Sequence, residues 1–233
     1  MNRNIIKIDS ETIALEDDFV RCFLVIGEKY AAWIDSGVSS PDLISIAAEF
    51  TSLPLLLINT HGDGDHTSSN GLFKEYYIHE DDYAGCGMGE KYPSCRMLPL
   101  HDGDEIDLGN RVLKIIANPG HTAGSISVID VKKRRVFAGD MVQTDRIFLF
   151  GEHRRPEMFS DALAKLQGYS DMFDEILASH GTMQLPGEYI SCIQTDWNEV
   201  CKGNAEMVPE ELFGQKIYCA AGKYCSFLVG RED

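Results

Sequence analysis

The chain has 233 residues, with 21 basic against 37 acidic side chains and a formal charge of −16. Hydrophobic residues make up 44% and charged ones 25%, the balance of a folded chain with enough length for one domain, 1–233, around a sizeable core. The negative balance argues against a general nucleic-acid binder, which needs a basic face for phosphates, and no run approaches the ~20 apolar residues of a membrane helix.

In chain order, Met1 to Ser10 lacks a long apolar stretch, so a cytoplasmic location without an export signal is expected. Val20–Ile26 and Tyr30–Ile34 are predicted strands around the turn Gly27-Glu28-Lys29. Ser40-Pro41-Asp42 predicts a helix start, with a capping hydroxyl and a proline at the first helical position. Leu43, Ile44, Ile46, Ala47 and Phe50 supply that helix's apolar face. Leu55–Ile58 is wholly apolar, as in a strand buried on both faces. Tyr76–His79 and Arg111–Ala117 are further strands, and Ile126–Asp130 with Arg135–Ala138 forms a hairpin around Lys132-Lys133. Helical spacing covers Pro156–Gly168 and Glu188–Lys202, with strands at Glu175–Ser179, Lys216–Cys219 and Tyr224–Val229. Tyr83 to Pro93, rich in Gly and Tyr, reads as a surface loop carrying Cys86 beside Cys95. The seven cysteines include no Cys-x-x-Cys pair, which fits reduced thiols, although Cys219 and Cys225 are spaced to face each other across a hairpin. Strands alternating with helices imply sheets in the middle covered by helices.

Four loops place metal-competent side chains just after strands. The first is His61-Gly62-Asp63-Gly64-Asp65-His66, with two imidazoles and two carboxylates in six positions and glycines that let the backbone turn. The others are Pro119-Gly120-His121, Ala138-Gly139-Asp140 and Ser179-His180-Gly181. Asp63, Asp65 and Asp140 brought together would repel one another unless a cation neutralised them.

These elements resemble the metallo-β-lactamase fold hydrolases, whose signature His-x-His-x-Asp-His is followed by separate histidine, aspartate and histidine positions. The matches are His61, Asp65, His66, His121, Asp140 and His180, and Asp35-Ser36-Gly37 is similar to the family's Asp-x-Gly turn, with Asp35 structural. The resemblance implies an α+β fold, a four-layer αββα sandwich of two mixed sheets with helices outside. It also implies two divalent metal ions. His61, Asp63 and His121 would hold one, Asp65, His66 and His180 the other, and Asp140 would bridge them. A metal-held hydroxide would be the nucleophile, with Asp65 orienting it or taking up its proton. The family's second histidine is Asp63 here, a harder ligand that moves preference from zinc, the first expectation, toward iron or manganese.

The expected activity is hydrolysis of an acyl (thioester or lactone) or phosphoester bond in a small-molecule substrate, with a glyoxalase II-like thioester in front. No nucleic acid or membrane partner is expected, and nothing fixes the oligomeric state. The carboxylate at 63 raises a second reading, a diiron oxidoreductase of the flavodiiron kind. A third is a non-catalytic metal-binding scaffold. Outside the cluster, His79 and His101 are read as structural or solvated, and His153, Arg146, Arg154 and Arg155 as solvated charges on the rim, with contact to an anionic substrate as the alternative.

Overall fold

Strand-forming runs at the start of the chain pair with one another before any helix intervenes. In the computed structural model, which describes residues 3–230, β1 (Arg3–Lys7), β2 (Thr12–Asp17), β3 (Val20–Ile26) and β4 (Ala31–Ile34) form an antiparallel meander. A short helix, α1 (Leu43–Ala48), leads into β5 (Leu55–Ile58), which lies parallel to β4. Then come α2 (Gly64–Thr67), β6 (Glu75–His79), α3 (Glu80–Gly85), α4 (Met88–Lys91) and β7 (Arg96–Leu100). The result is a seven-stranded mixed sheet whose strands lie in sequence order.

The second sheet starts with β8 (Glu105–Asp107), β9 (Val112–Ala117), β10 (Ile126–Asp130) and β11 (Arg135–Phe137), all antiparallel. The chain leaves through β12 (Arg146–Leu149) and α5 (Pro156–Gln167), and returns as β13 (Glu175–Leu177) parallel to β11, with β14 (Gln184–Pro186) at the edge. After α6 (Tyr189–Cys201), β15 (Met207–Leu212), β16 (Gln215–Ala221) and β17 (Ser226–Val229) join β12 in a separate four-stranded sheet.

Burial follows the expected αββα layering. Phe23, Val25, Ile34 and Ile58 of the first sheet meet Leu113, Ile115, Val128, Phe137 and Leu177 of the second. The outer face of the first sheet is covered by Leu43, Ile46 and Ala47 of α1 and Met88 of α4. The outer face of the second packs on Phe159 and Leu163 of α5 and on Ile193 and Trp197 of α6. Neighbouring residues of β5 show why its run is apolar throughout: Leu57 faces the helices and Ile58 the opposing sheet, and both are buried. Because β9, β11 and β13 point the same way, their carboxyl ends open on one rim.

Several local expectations are corrected. Ser40 does not cap α1, which starts at Leu43 after Asp42. Its hydroxyl instead donates to buried Asp17 at 2.7 Å, a stronger charge-assisted partner than a helix N–H. Tyr83 to Pro93 is largely helical rather than a loop. It contains α4 and the end of α3, and Tyr83, Cys86, Tyr92 and Cys95 pack against the core of the first sheet. Cys219 lies opposite Leu228 rather than Cys225, and both thiols are free. No helix among the described residues is long and apolar enough to cross a membrane.

The two large sheets are tied together by charge as well as by packing. Arg111, buried just before β9, donates to Asp130 at 2.9 Å from Nε, to Thr12 Oγ1 at 2.8 Å, and to the carbonyls of Glu11 and Ile26 at 2.7 and 2.9 Å. Arg111→Ala strands Asp130 and is expected to lower stability by about 3–5 kcal/mol, read as a fall in the urea midpoint; an unchanged midpoint would show the pair to be dispensable.

Candidate metal centre

The first loop is shaped by its neighbours. Past β5, Asn59 donates to the carbonyl of His66 at 3.1 Å and receives Asn70 Nδ2 at 2.7 Å, closing the segment on itself. Thr60 N donates to Asp35 Oδ1 at 2.7 Å. Gly62 has no room for a side chain, since a Cβ there would lie 2.6 Å from Cys86 Sγ. Gly139 is required twice over: its φ is +53° and a Cβ would meet Thr60 Oγ1 at 2.8 Å. Asp82 of α3, buried, accepts from Gly62 N at 2.7 Å, Gly124 N at 2.6 Å and Thr122 Oγ1 at 2.7 Å. One carboxylate thus pins the loop of His61 to the loop of His121.

All seven predicted side chains come together, and Asp63, Asp65, His121, Asp140 and His180 line a cleft of about 740 Å³. The seven form three overlapping groups, His61–Asp63–His121, His61–His66–Asp140 and Asp65–His66–His180, each with ligand atoms within 4.8 Å of one another. Every imidazole is held by its Nδ1. His66 donates to Asp35 at 2.9 Å, His121 to the Phe148 carbonyl at 2.9 Å and His180 to the Phe19 carbonyl at 2.9 Å. His61 Nδ1 lies 3.0 Å from Thr60 Oγ1, which donates its own proton to Asp35 at 2.8 Å and so accepts from the ring. With each Nδ1 carrying a proton, the four Nε2 atoms are left as donors to a shared centre.

That arrangement is unfavourable without positive charge. His121 and His61 bring their Nε2 atoms to 3.2 Å, and His66 and His180 to 3.3 Å. Asp140 Oδ1 sits 3.2 and 3.3 Å from the Nε2 atoms of His66 and His180, yet is buried without a hydrogen-bond partner. Converging lone pairs and an orphaned buried carboxylate oxygen fit a divalent ion, for which imidazole and carboxylate are suitable ligands.

Electrostatics divide the cluster in two. Burial would lower His180, but the charge of Asp140 outweighs it and pushes the imidazole up to about 10. His66 is raised in the same way, burial being overcome by Asp140 and Asp65. Burial and then the charge of Arg154 depress His121 instead. For Asp140, burial is overridden by His180 and His66, which hold its carboxyl well below the usual range.

Arg154 corrects the rim-charge reading. Its guanidinium donates to Asp63 Oδ1 at 3.1 Å and Oδ2 at 2.6 Å, inside the site rather than in solvent. The signal in the sequence was Asp63 itself, an additional negative charge that needs a cation. Arg146 pairs with Glu210 at 2.5 Å, and Arg155 donates to the carbonyls of Glu152 and Arg154. His79 accepts from Asp81 N as the cap of α3, His101 is exposed, and the His153 carbonyl receives Ala123 N; none joins the cluster. Asp82 carried no signal, since Glu80-Asp81-Asp82 looks like any acidic helix start.

The family model described as "Metallo-beta-lactamase superfamily" matches residues 15–192. A hydroxyacylglutathione hydrolase of Nostoc punctiforme is 27% identical over 164 residues, 68% of this chain and 62% of that protein. An acyl-coenzyme A thioesterase of Gallus gallus is 28% identical over 156 residues, 52% of this chain and 56% of that protein. The chain therefore spans less than two thirds of the length of these relatives. Among solved structures, a metallo-beta-lactamase from Pontibacter korlensis superposes with a TM-score of 0.70 at 14% identity, covering 84% of this chain and 99% of that one, a likeness of fold.

Two predictions follow from the anchored imidazoles. Asp35→Ala frees His66 and Thr60 together and is expected to weaken zinc binding about 10–100-fold, measured by competition with a chromophoric chelator; unchanged affinity would show that Asp35 does not orient the rings. At pH 8 the metal-free protein carries a proton on His180, which zinc must displace. The binding heat should therefore vary with the ionisation enthalpy of the buffer, and a flat response would contradict this protonation. By the same sign, the stability His180 lends the metal-free fold is complete below its unfolded value of about 6.5 and is lost as pH rises toward about 10.

Proposed function

The chain belongs to the metallo-beta-lactamase superfamily, and from that premise we propose that it is a metal-dependent hydrolase of small-molecule acyl thioesters. The observation that carries the reading is the convergence of four imidazole Nε2 atoms and three carboxylates, five of these seven residues lining an open cleft. A divalent ion bound there supplies Lewis acidity and a nucleophile competent at neutral pH.

The remaining work falls to the protein. Asp65, on α2, has its carboxylate beside His180 and His66, at 3.4 and 3.6 Å. Burial would raise its pKa, but the charges of His66 and then His180 prevail and lower it, so it is ionised at neutral pH. Because Asp63 is engaged by Arg154, Asp65 is the carboxylate placed to take a proton from the attacking water. Phe19, Val38, Phe148 and Phe213 give the cleft an apolar wall suited to an acyl chain. Phe213, at the tip between β15 and β16, is 81% exposed, so a substrate that covers it gains burial.

Thioesters are favoured over phosphoesters on charge. Four carboxylates line the cleft, Asp63, Asp65, Asp140 and Asp145, while Arg146 and Arg154 are already paired with Glu210 and Asp63, leaving a poor welcome for a phosphate dianion. The names of the relatives, a hydroxyacylglutathione hydrolase and an acyl-coenzyme A thioesterase, point to the same bond. The diiron alternative drew on Asp63 as a free metal ligand, and its pairing with Arg154 gives that alternative no support.

The test is turnover of a panel of thioesters, lactones, β-lactams and phosphodiesters by metal-loaded protein. Thioesters should be cleaved fastest, with activity lost on chelation and restored by the ion. Asp65→Asn should reduce kcat by about 10²–10⁴, and Phe213→Ser should raise KM for long acyl chains about tenfold. Turnover confined to phosphodiesters, or undiminished after chelation, would refute the reading.

A further inference from the structure

One half of the cluster already contains a cation. Arg154 reaches in from the segment between β12 and α5 and forms a two-pronged pair with Asp63, at 3.1 and 2.6 Å. Its Nη1 also lies 3.3 Å from His121 Nε2, the atom through which that ring would bind a metal, since its Nδ1 is committed to the Phe148 carbonyl. The guanidinium side chain is only 14% exposed. Solvent screens such a pair weakly, and the planar fork matches the carboxylate. The other half differs: among the described residues, no lysine or arginine is paired with Asp65 or Asp140, whose salt-bridge partners are imidazoles.

We propose that the centre holds a single divalent ion, ligated by Asp65, His66, Asp140 and His180, and that the Arg154 guanidinium takes the place of a second ion against His61, Asp63 and His121. This deepens the metal-hydrolase reading and rests on it. Charge balance supports it. One dication and one guanidinium neutralise the three carboxylates Asp63, Asp65 and Asp140. A second dication would have to enter between Asp63 and His121, where it would confront the guanidinium at close range and compete for the same donor atoms. Asp63 and Arg154 thus act as one unit, with the carboxylate binding a side chain where a histidine would bind metal. The departure from His-x-His-x-Asp-His then sets metal number rather than merely metal preference.

Stoichiometry tests this without reference to turnover. Purified protein is loaded with zinc, dialysed and analysed for metal, and the metal-free form is titrated with cobalt while visible absorbance is followed. The wild-type chain should retain one equivalent and give a single-step titration. Arg154→Met keeps the bulk of the side chain and removes its charge, and should gain a second equivalent with a second spectral step. Arg154→Lys retains the charge and should stay at one, and Arg154→Met combined with Asp63→Ala should return to one. Two equivalents in the wild-type chain, or no gain in a folded Arg154→Met, overturns the proposal and leaves the hydrolase reading standing. If Arg154→Met does not fold, the wild-type value decides alone. A wild-type chain that retains no metal defeats both.

Discussion

Three carboxylates and four imidazole nitrogens are crowded around one point, and among the described residues Arg154 is the one arginine or lysine paired with them. Two like charges about 4 Å apart in a poorly screened site repel by about 4 kcal/mol. A fold that tolerates several such pairs has a use for them, and a divalent cation is the partner that turns this repulsion into binding. The orphaned Asp140 Oδ1 and the facing Nε2 pairs are the local form of the same demand.

Holding these groups in place is the task of the layered architecture. His180 follows β13 of the second sheet, but the carbonyl that fixes its ring belongs to Phe19, in the turn between β2 and β3 of the first. His121 follows β9 and is anchored on Phe148 of β12, in the third sheet. Asp35, after β4, serves His66 directly and His61 through Thr60. Site and fold are therefore coupled: the buried Arg111–Asp130 pair and the shared apolar layer keep the two sheets in register, and that register aims the rings.

The seven side chains that converge and the αββα class were legible in the sequence because they depend on local signals. Each metal-competent residue follows a short apolar run, and α5 begins on the proline that marked it. What escaped was set by distant pairing. β1, β7 and β15 carry mixed or exposed residues without clear alternation and are strands because a neighbour completes their hydrogen bonds. Ser40 looked like a cap until Asp17, 23 positions earlier, offered a charged acceptor. Arg154 looked like a rim charge because nothing local links position 154 to position 63; only the folded chain brings them together. Asp82 is the same case for an acid.

Within a superfamily whose pattern has histidine at the place of Asp63, this chain has an aspartate paired with the Arg154 guanidinium. The acidic half, Asp65 with Asp140, His66 and His180, keeps an open demand for a cation, while the other half meets its own with a guanidinium. The most direct test is a crystal structure of the metal-loaded protein with anomalous diffraction recorded at the absorption edge of the bound ion. The account predicts an anomalous peak among Asp65, His66, Asp140 and His180. A map with no peak there, or with the ion bound elsewhere on the molecule, would contradict it.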